Sequence, residues 1–148
     1  SRRGTREIPA AQFFRGIYTT ALGAGEVLTA VVVPPLGAGW RSGFDELSRR
    51  HGDYALVAVA AHARVADGTL AEARLAFAGV GPTPVRATHA EAALSGRRVD
   101  ARVLDEVARL VAGELDPPSD VHASAALRRH LAGVLTRRVV SRLLEGSA

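Results

Sequence analysis

The chain contains no cysteine, no methionine and no lysine. Without cysteine it cannot form a disulfide, a thiolate metal site, an iron–sulfur ligand set or a cysteine nucleophile from its own residues. Without methionine, and opening on Ser1-Arg2-Arg3-Gly4, it reads as a processed product or a piece cut from something larger. Aromatic residues make up 5% against 47% hydrophobic, so a core must be built from Ala, Val and Leu. No apolar run approaches the ~18 residues a membrane span needs, and no secretory pattern is visible. A cytoplasmic location is the expectation.

All 19 basic residues are arginine, for a net charge of +4. Such a balance can signal nucleic acid. Here the arginines are spread along the chain among 15 acids, the pattern of a solvated surface. The lack of lysine reads as GC-rich coding bias. Arg128, Arg129, Arg137, Arg138 and Arg142 do recur at helical spacing. They keep a second reading open, an Arg-rich binding module for nucleic acid or an acidic protein partner. Against it stand the few aromatics for base stacking and the absence of a nucleic-acid motif.

At 148 residues one domain is the default, large enough to bury roughly two-thirds of its unfolded surface. Residues 1–25 lack periodicity and carry Pro9, Gly16, Gly23 and Gly25, so they read as an arm or linker ahead of a domain spanning 26–148. Glu26 to Val33 is β-branched and stops at Pro34-Pro35, which predicts a strand. Trp40–Leu47, Tyr54–Val65 and Thr69–Phe77 are the other candidate strands. Asp67-Gly68 between the last two predicts a type I′ hairpin, since both turn residues need positive φ. Val57, Val59, Ala61, Ala63 and Val65 would share one face, and Ala58, Ala60, His62 and Arg64 the other.

From residue 88 the period changes. Thr88 and Glu91 have the spacing of a capping box, and Gly96 would close that short helix. Asp100 would cap a helix with the stripe Val103, Leu104, Val107, Val111 and Leu115, stopped by Pro117-Pro118. Ser124 would cap a third helix burying Leu127, Leu131, Val134, Leu135 and Val139, with its arginines pointing elsewhere. Strands followed by helices predict an α+β fold: a small antiparallel sheet of three or four strands packed against about three helices.

No catalytic constellation is visible. The five histidines have no metal-helix spacing and no HExxH, so no metal site is expected. His89 falls in the capping box, and His62 lies mid-strand as a satisfied core or interface residue. No G-x-S-x-G elbow supports a hydrolase. Gly79-Val80-Gly81-Pro82 follows a strand, but Pro82 removes a donor and no P-loop lysine exists, so it reads as a structural turn.

Five stretches in order carry a resemblance. They are Arg6-Glu7-Ile8-Pro9-Ala10 with Phe13-Phe14; Tyr18-Thr19-Thr20 with Gly25-Glu26-Val27-Leu28; Ser48 to Val57; Gly79 to Ala87; and Asp116 to Ser124 with Arg128-Arg129-His130-Leu131. Together the chain resembles the FAD-binding medium subunit of molybdenum hydroxylases, the group of carbon monoxide dehydrogenase and xanthine dehydrogenase. The resemblance covers the tail of that subunit's first part and all of its C-terminal domain. It implies a cytoplasmic oxidoreductase flavoprotein subunit in electron transfer, inert as this fragment. Its implied partners are a missing N-terminal FAD-binding domain, a molybdopterin large subunit and an iron–sulfur small subunit. It further implies that Tyr18 and Leu28 reach the isoalloxazine ring of FAD. The glycine-rich pyrophosphate loops have no counterpart here, so FAD is expected in the intact subunit and not on this chain alone. Xanthine dehydrogenase-like members carry a lysine near the flavin where this chain has Phe44-Asp45-Glu46, and that role is not carried over. With Phe13, Phe14, Ile17 and Tyr18 in the arm, self-association through it is also expected.

Overall fold

A computed structural model describes residues 4–146. It divides the chain into two compact units, Ser1–Leu36 and Gly37–Ala148.

The first unit holds a single helical turn α1 (Ala10–Phe13) and a hairpin of β1 (Phe14–Gly16) and β2 (Thr19–Thr20). Phe13 and Phe14 meet edge to face at 5.1 Å. Its one buried apolar residue among those described is Ala21. The strand expected over Glu26–Val33 is not formed, and the run is irregular. β-Propensity alone does not make a strand: the backbone groups need a partner edge, and the described residues of this unit supply none.

The second unit carries β3 (Trp40–Ser48), β4 (Ala55–Ala66), β5 (Thr69–Ala78), β6 (Val85–Arg86), α2 (Thr88–Leu94), β7 (Arg97–Arg98), α3 (Ala101–Glu114) and α4 (Ala125–Glu145). The sheet is antiparallel in the order β3-β4-β5, with β6 and β7 on opposite ends of the outer side of β5. The expected hairpin is present. Asp67 and Gly68 have φ of 48° and 72°, the left-handed pair that a type I′ turn requires. Alternation then sets the faces: Val57, Val59, Ala61 and Ala63 are buried, while Ala60 and Arg64 are exposed. The fold is α+β, with α2 and α4 laid on the buried face of the sheet and α3 packed against both helices.

The helices follow their amphipathic stripes. Asp100 Oδ1 accepts from the Val103 N–H at 2.9 Å and starts α3, which buries Val103, Val107 and Val111. Ser124 Oγ accepts from the Leu127 N–H at 3.2 Å and starts α4. The buried stripe of α4 is Arg128, Ala132, Leu135, Val139 and Leu143, with Leu127 left 42% exposed. The expected stripe was thus displaced by one residue at its start, and Arg128 points inward. Gly43 on β3 permits close approach of α4, because a Cβ there would lie 2.9 Å from Val139 Cγ1.

The capping box at Thr88 does not form. Ala87 occupies the N-cap position of α2. Glu91 turns away, accepting from the Leu75 N–H at 2.8 Å and pairing with Arg86. Glu114 of α3 caps α2 from outside, accepting from the His89 N–H at 3.1 Å and from the Thr88 hydroxyl at 3.1 Å. A carboxylate on a neighbouring helix meets the exposed donors better than the local pair does. No helix of the described residues is long and apolar enough to cross a membrane.

Candidate functional site

Tyr18 sits at the turn between β1 and β2. Its φ is 53°, an uncommon backbone state for an aromatic residue, and its side chain is fully exposed. A bulky ring in the left-handed region costs free energy, which the hairpin register must offset. Apart from Asp67 in its Asp-Gly turn, Tyr18 is the only non-glycine residue at positive φ among those described.

The second candidate, Leu28, is 52% exposed and follows a turn that is held firmly. Arg6 Nε and Nη2 donate to the two oxygens of Glu26 at 2.8 and 2.7 Å, and Nη2 also reaches the Ala21 carbonyl at 2.7 Å. The Gly23 N–H donates to Glu26 Oε2 at 2.6 Å. The Arg6 guanidinium first, and the Gly23 amide second, hold the Glu26 carboxyl down at about 2. Glu26 in turn raises the Arg6 guanidinium above its ordinary value through the same hydrogen bonds. The Arg6-Glu7-Ile8 and Gly25-Glu26-Val27 stretches are thereby joined into one clasp two residues before Leu28. Sequence inspection did not pair them, and opposite charge in two separate motifs was the available signal.

In the second unit, a cleft of about 330 Å³ gathers three of the five motif stretches. Arg49, Asp53 and Tyr54 line it from one loop, Gly79 and Gly81 from another, Pro118, Asp120 and His122 from a third, and Arg128 from α4. Arg128, only 5% exposed, is the knot. Its Nη1 donates to the Leu56 carbonyl and, at 3.1 Å, to the Gly79 carbonyl; its Nη2 meets Asp120 Oδ2 at 2.6 Å. Its Nε is buried without a hydrogen-bond partner among the described residues. Asp120 also accepts from the His122 and Ala123 N–H groups, and these two bonds, ahead of Arg128, hold the pKa of its carboxyl below the usual carboxylate value. The arrangement is a structural staple between β4, the turn after β5 and the start of α4. The Gly79 turn is part of it: φ is 76°, and a Cβ would fall 2.5 Å from the Leu56 carbonyl oxygen.

The other helix arginines are engaged as well. Arg129 pairs with Asp116, Arg137 with Asp105, and Arg138 and Arg142 both reach Asp45 on β3. A face so neutralised offers little to a polyanion. His62 stacks on Trp40 at 4.3 Å and its Nδ1 meets the Ser42 hydroxyl at 2.9 Å, so it is a satisfied sheet residue. His89 is exposed beside Glu114. No cluster of metal-ligating side chains occurs among the described residues.

The comparisons with known proteins agree with this architecture. The family described as the CO dehydrogenase flavoprotein C-terminal domain matches residues 42–143. The glyceraldehyde dehydrogenase medium chain of Sulfolobus acidocaldarius is 33% identical over 93% of this chain and 49% of its own length. The carbon monoxide dehydrogenase medium chain of Afipia carboxidovorans is 36% identical over 94% of this chain and 48% of its own. Among solved structures, quinoline 2-oxidoreductase from Pseudomonas putida 86 superimposes with a TM-score of 0.91 at 38% identity, covering 99% of this chain and 51% of that one. The chain spans about half the length of the relatives it matches. With family, sequence and fold in agreement over nearly its whole extent, the chain belongs to the CO dehydrogenase flavoprotein C-terminal domain family, the C-terminal part of FAD subunits.

Proposed function

We propose that this chain covers the flavin and docks neighbouring subunits in the FAD subunit of a molybdenum hydroxylase-type oxidoreductase. The observation that carries the reading is Tyr18: an aromatic ring held at φ 53°, fully exposed at a hairpin tip. Exposed rings on strained backbone mark binding surfaces more often than idle ones. Leu28, half exposed beyond the Arg6–Glu26 clasp, supplies an aliphatic companion. Both side chains suit the face of an isoalloxazine ring, where they would exclude water.

The phosphate end of FAD is not provided for. The Gly79–Pro82 turn lacks a donor at Pro82, which has no N–H, and no lysine stands beside it. The residues present therefore fit the ring and leave the pyrophosphate to the half of the subunit that the relatives carry beyond this chain. Bound FAD would supply the acceptor for electrons that iron–sulfur clusters on another subunit bring from a molybdenum centre. The partners under this reading are the flavin-holding N-terminal half, a molybdopterin large subunit and an iron–sulfur small subunit. The work is cytoplasmic, and the fragment alone is inert.

Titrating FAD into the isolated chain should give no saturable change in flavin fluorescence in the low micromolar range. Saturation there overturns the assignment of half a site. In the subunit completed by its flavin-holding half, Tyr18→Ala should change the fluorescence of the bound flavin. An unchanged emission spectrum removes Tyr18 from the ring.

A further inference from the structure

The sheet of the second unit is covered on one side only. Its helices pack on the face of Val57, Val59, Ala61 and Ala63. A solvated antiparallel face ordinarily carries polar side chains. The outer face here does so over half its length. The other half is alanine: Ala58 stands opposite Ala78, and Ala60 opposite Ala76. Ala60 and Ala78 are exposed, and Phe44, directly opposite Ala60 on β3, is 59% exposed. An exposed ring on a floor of methyl groups marks a contact surface.

The face is lopsided in a regular way. Its rows, read across β3, β4 and β5, are Trp40-Arg64-Glu72, Ser42-His62-Arg74, Phe44-Ala60-Ala76 and Glu46-Ala58-Ala78. The first two rows form a raised block. In it Trp40 stacks on His62 at 4.3 Å, and the Arg74 guanidinium lies 5.6 Å from the Trp40 ring centroid. The last two rows are low on β4 and β5. Consider a two-fold axis in the plane of the face, running across the strands between the second and third rows. It turns the first row onto the fourth and the second onto the third. Each copy's raised block then sits over the other's alanines, and Phe44 meets the Trp40–His62 stack. The same operation brings Arg64 of one copy to Glu46 of the other. Both are exposed, they are opposite in charge, and neither has an ion pair among the described residues. The remaining cations are already neutralised, Arg74 by Glu72 and Arg86 by Glu91.

We propose that two copies of this chain pair face to face through the outer surface of this sheet, as an isologous dimer. Shape and charge are both self-complementary under one operation, which is what a two-fold interface requires. From strand spacing and rise, the four rows cover on the order of 400 Å² per copy. That is the size class of weak, reversible complexes. The proposal is independent of the flavin reading, since it uses none of the residues assigned to the ring.

Sedimentation equilibrium of the full chain, from low micromolar to millimolar concentration, tests this. Trp40 is the only tryptophan, so its emission reports on the face directly. A monomer–dimer equilibrium should appear, with the emission shifting in step with the dimer fraction. Phe44→Glu should weaken the association at least about tenfold. Arg64→Glu and Glu46→Arg should each weaken it about fivefold, because each sets like charges together. The double variant Arg64→Glu, Glu46→Arg should return it to within about twofold of the parent. Restoration by charge exchange is a result that damaged folding does not give, and circular dichroism of each variant checks the fold separately. A chain that stays monomeric throughout overturns the proposal. So does association that leaves Trp40 emission unchanged and ignores Phe44→Glu, which places the contact elsewhere. Single variants that weaken the dimer without rescue by the double variant overturn the two-fold arrangement.

Discussion

The two units of this chain spend their apolar residues in opposite ways. Among the described residues, Gly37–Ala148 holds nearly every buried hydrophobic side chain, while Ser1–Leu36 buries Ala21 alone. Conversely, Phe14, Ile17, Tyr18, Val27, Leu28, Val31, Val32, Val33 and Leu36 are all exposed in a segment of 36 residues. One unit is a closed hydrophobic system. The other exposes its apolar side chains and is held in shape by the Arg6–Glu26 ion pair and a hairpin. Stability should therefore reside in the second unit and flavin binding in the first, and mutations can separate the two.

The largest effect is expected at Arg128. Arg128→Met keeps the aliphatic stem but strands the Leu56 and Gly79 carbonyls and frees Asp120. Leaving such groups unpaired costs about 3 kcal/mol, which should lower the main melting temperature by roughly 10 °C. A shift within error would mean that the staple contributes nothing and that the closure of the second unit lies elsewhere. Gly79→Val should follow at about 2–3 kcal/mol, since it adds a contact 2.5 Å from a carbonyl oxygen to a φ of 76°. Gly68→Val is milder. Its φ is 72°, but no atom lies within 4 Å of a Cβ there, so only the backbone penalty of about 1 kcal/mol remains. Equal losses at Gly68 and Gly79 would show that crowding at Leu56 is relieved by movement.

Much of the second unit could be read from the residues because its signals are local. Alternation across Val57–Val65, the Asp67-Gly68 turn and the Asp100 and Ser124 caps each depend on neighbours a few positions away. The failures share one cause, a partner distant in sequence. Glu91 leaves its capping box for Leu75 and Arg86, and Glu114 arrives from another helix. Arg128 was expected to point away from the buried face, yet its stripe with Ala132, Leu135 and Val139 was present in the spacing. The Glu26–Val33 strand was legible as a propensity but pairs with no strand among the described residues. Propensity reports what a segment can be, and pairing decides whether it becomes that. For the site, the resemblance singled out Tyr18 and Leu28. The left-handed backbone at Tyr18 and the Arg6–Glu26 clasp emerged only in three dimensions.

The smallest effect sharpens the comparison most, because it concerns the first unit alone. Glu26 ordinarily titrates near 4.5 and is held at about 2 by Arg6 and the Gly23 amide. A carboxyl lowered on ordering favours the ordered turn above its free value and loses that preference as pH falls through the lowered one. The clasp should thus stay closed at pH 5 and open progressively between about 4.5 and 2. The Gly23 amide, which donates to Glu26 Oε2, is the reporter, and its proton shift should titrate across that window. Glu26→Gln should flatten the titration. Because the clasp lies at the surface and outside the core, that substitution should leave the main melting transition within about 1 °C of the parent. A larger fall would mean that the clasp supports the second unit, and the division between a stable unit and a binding unit would fail at its most exposed contact.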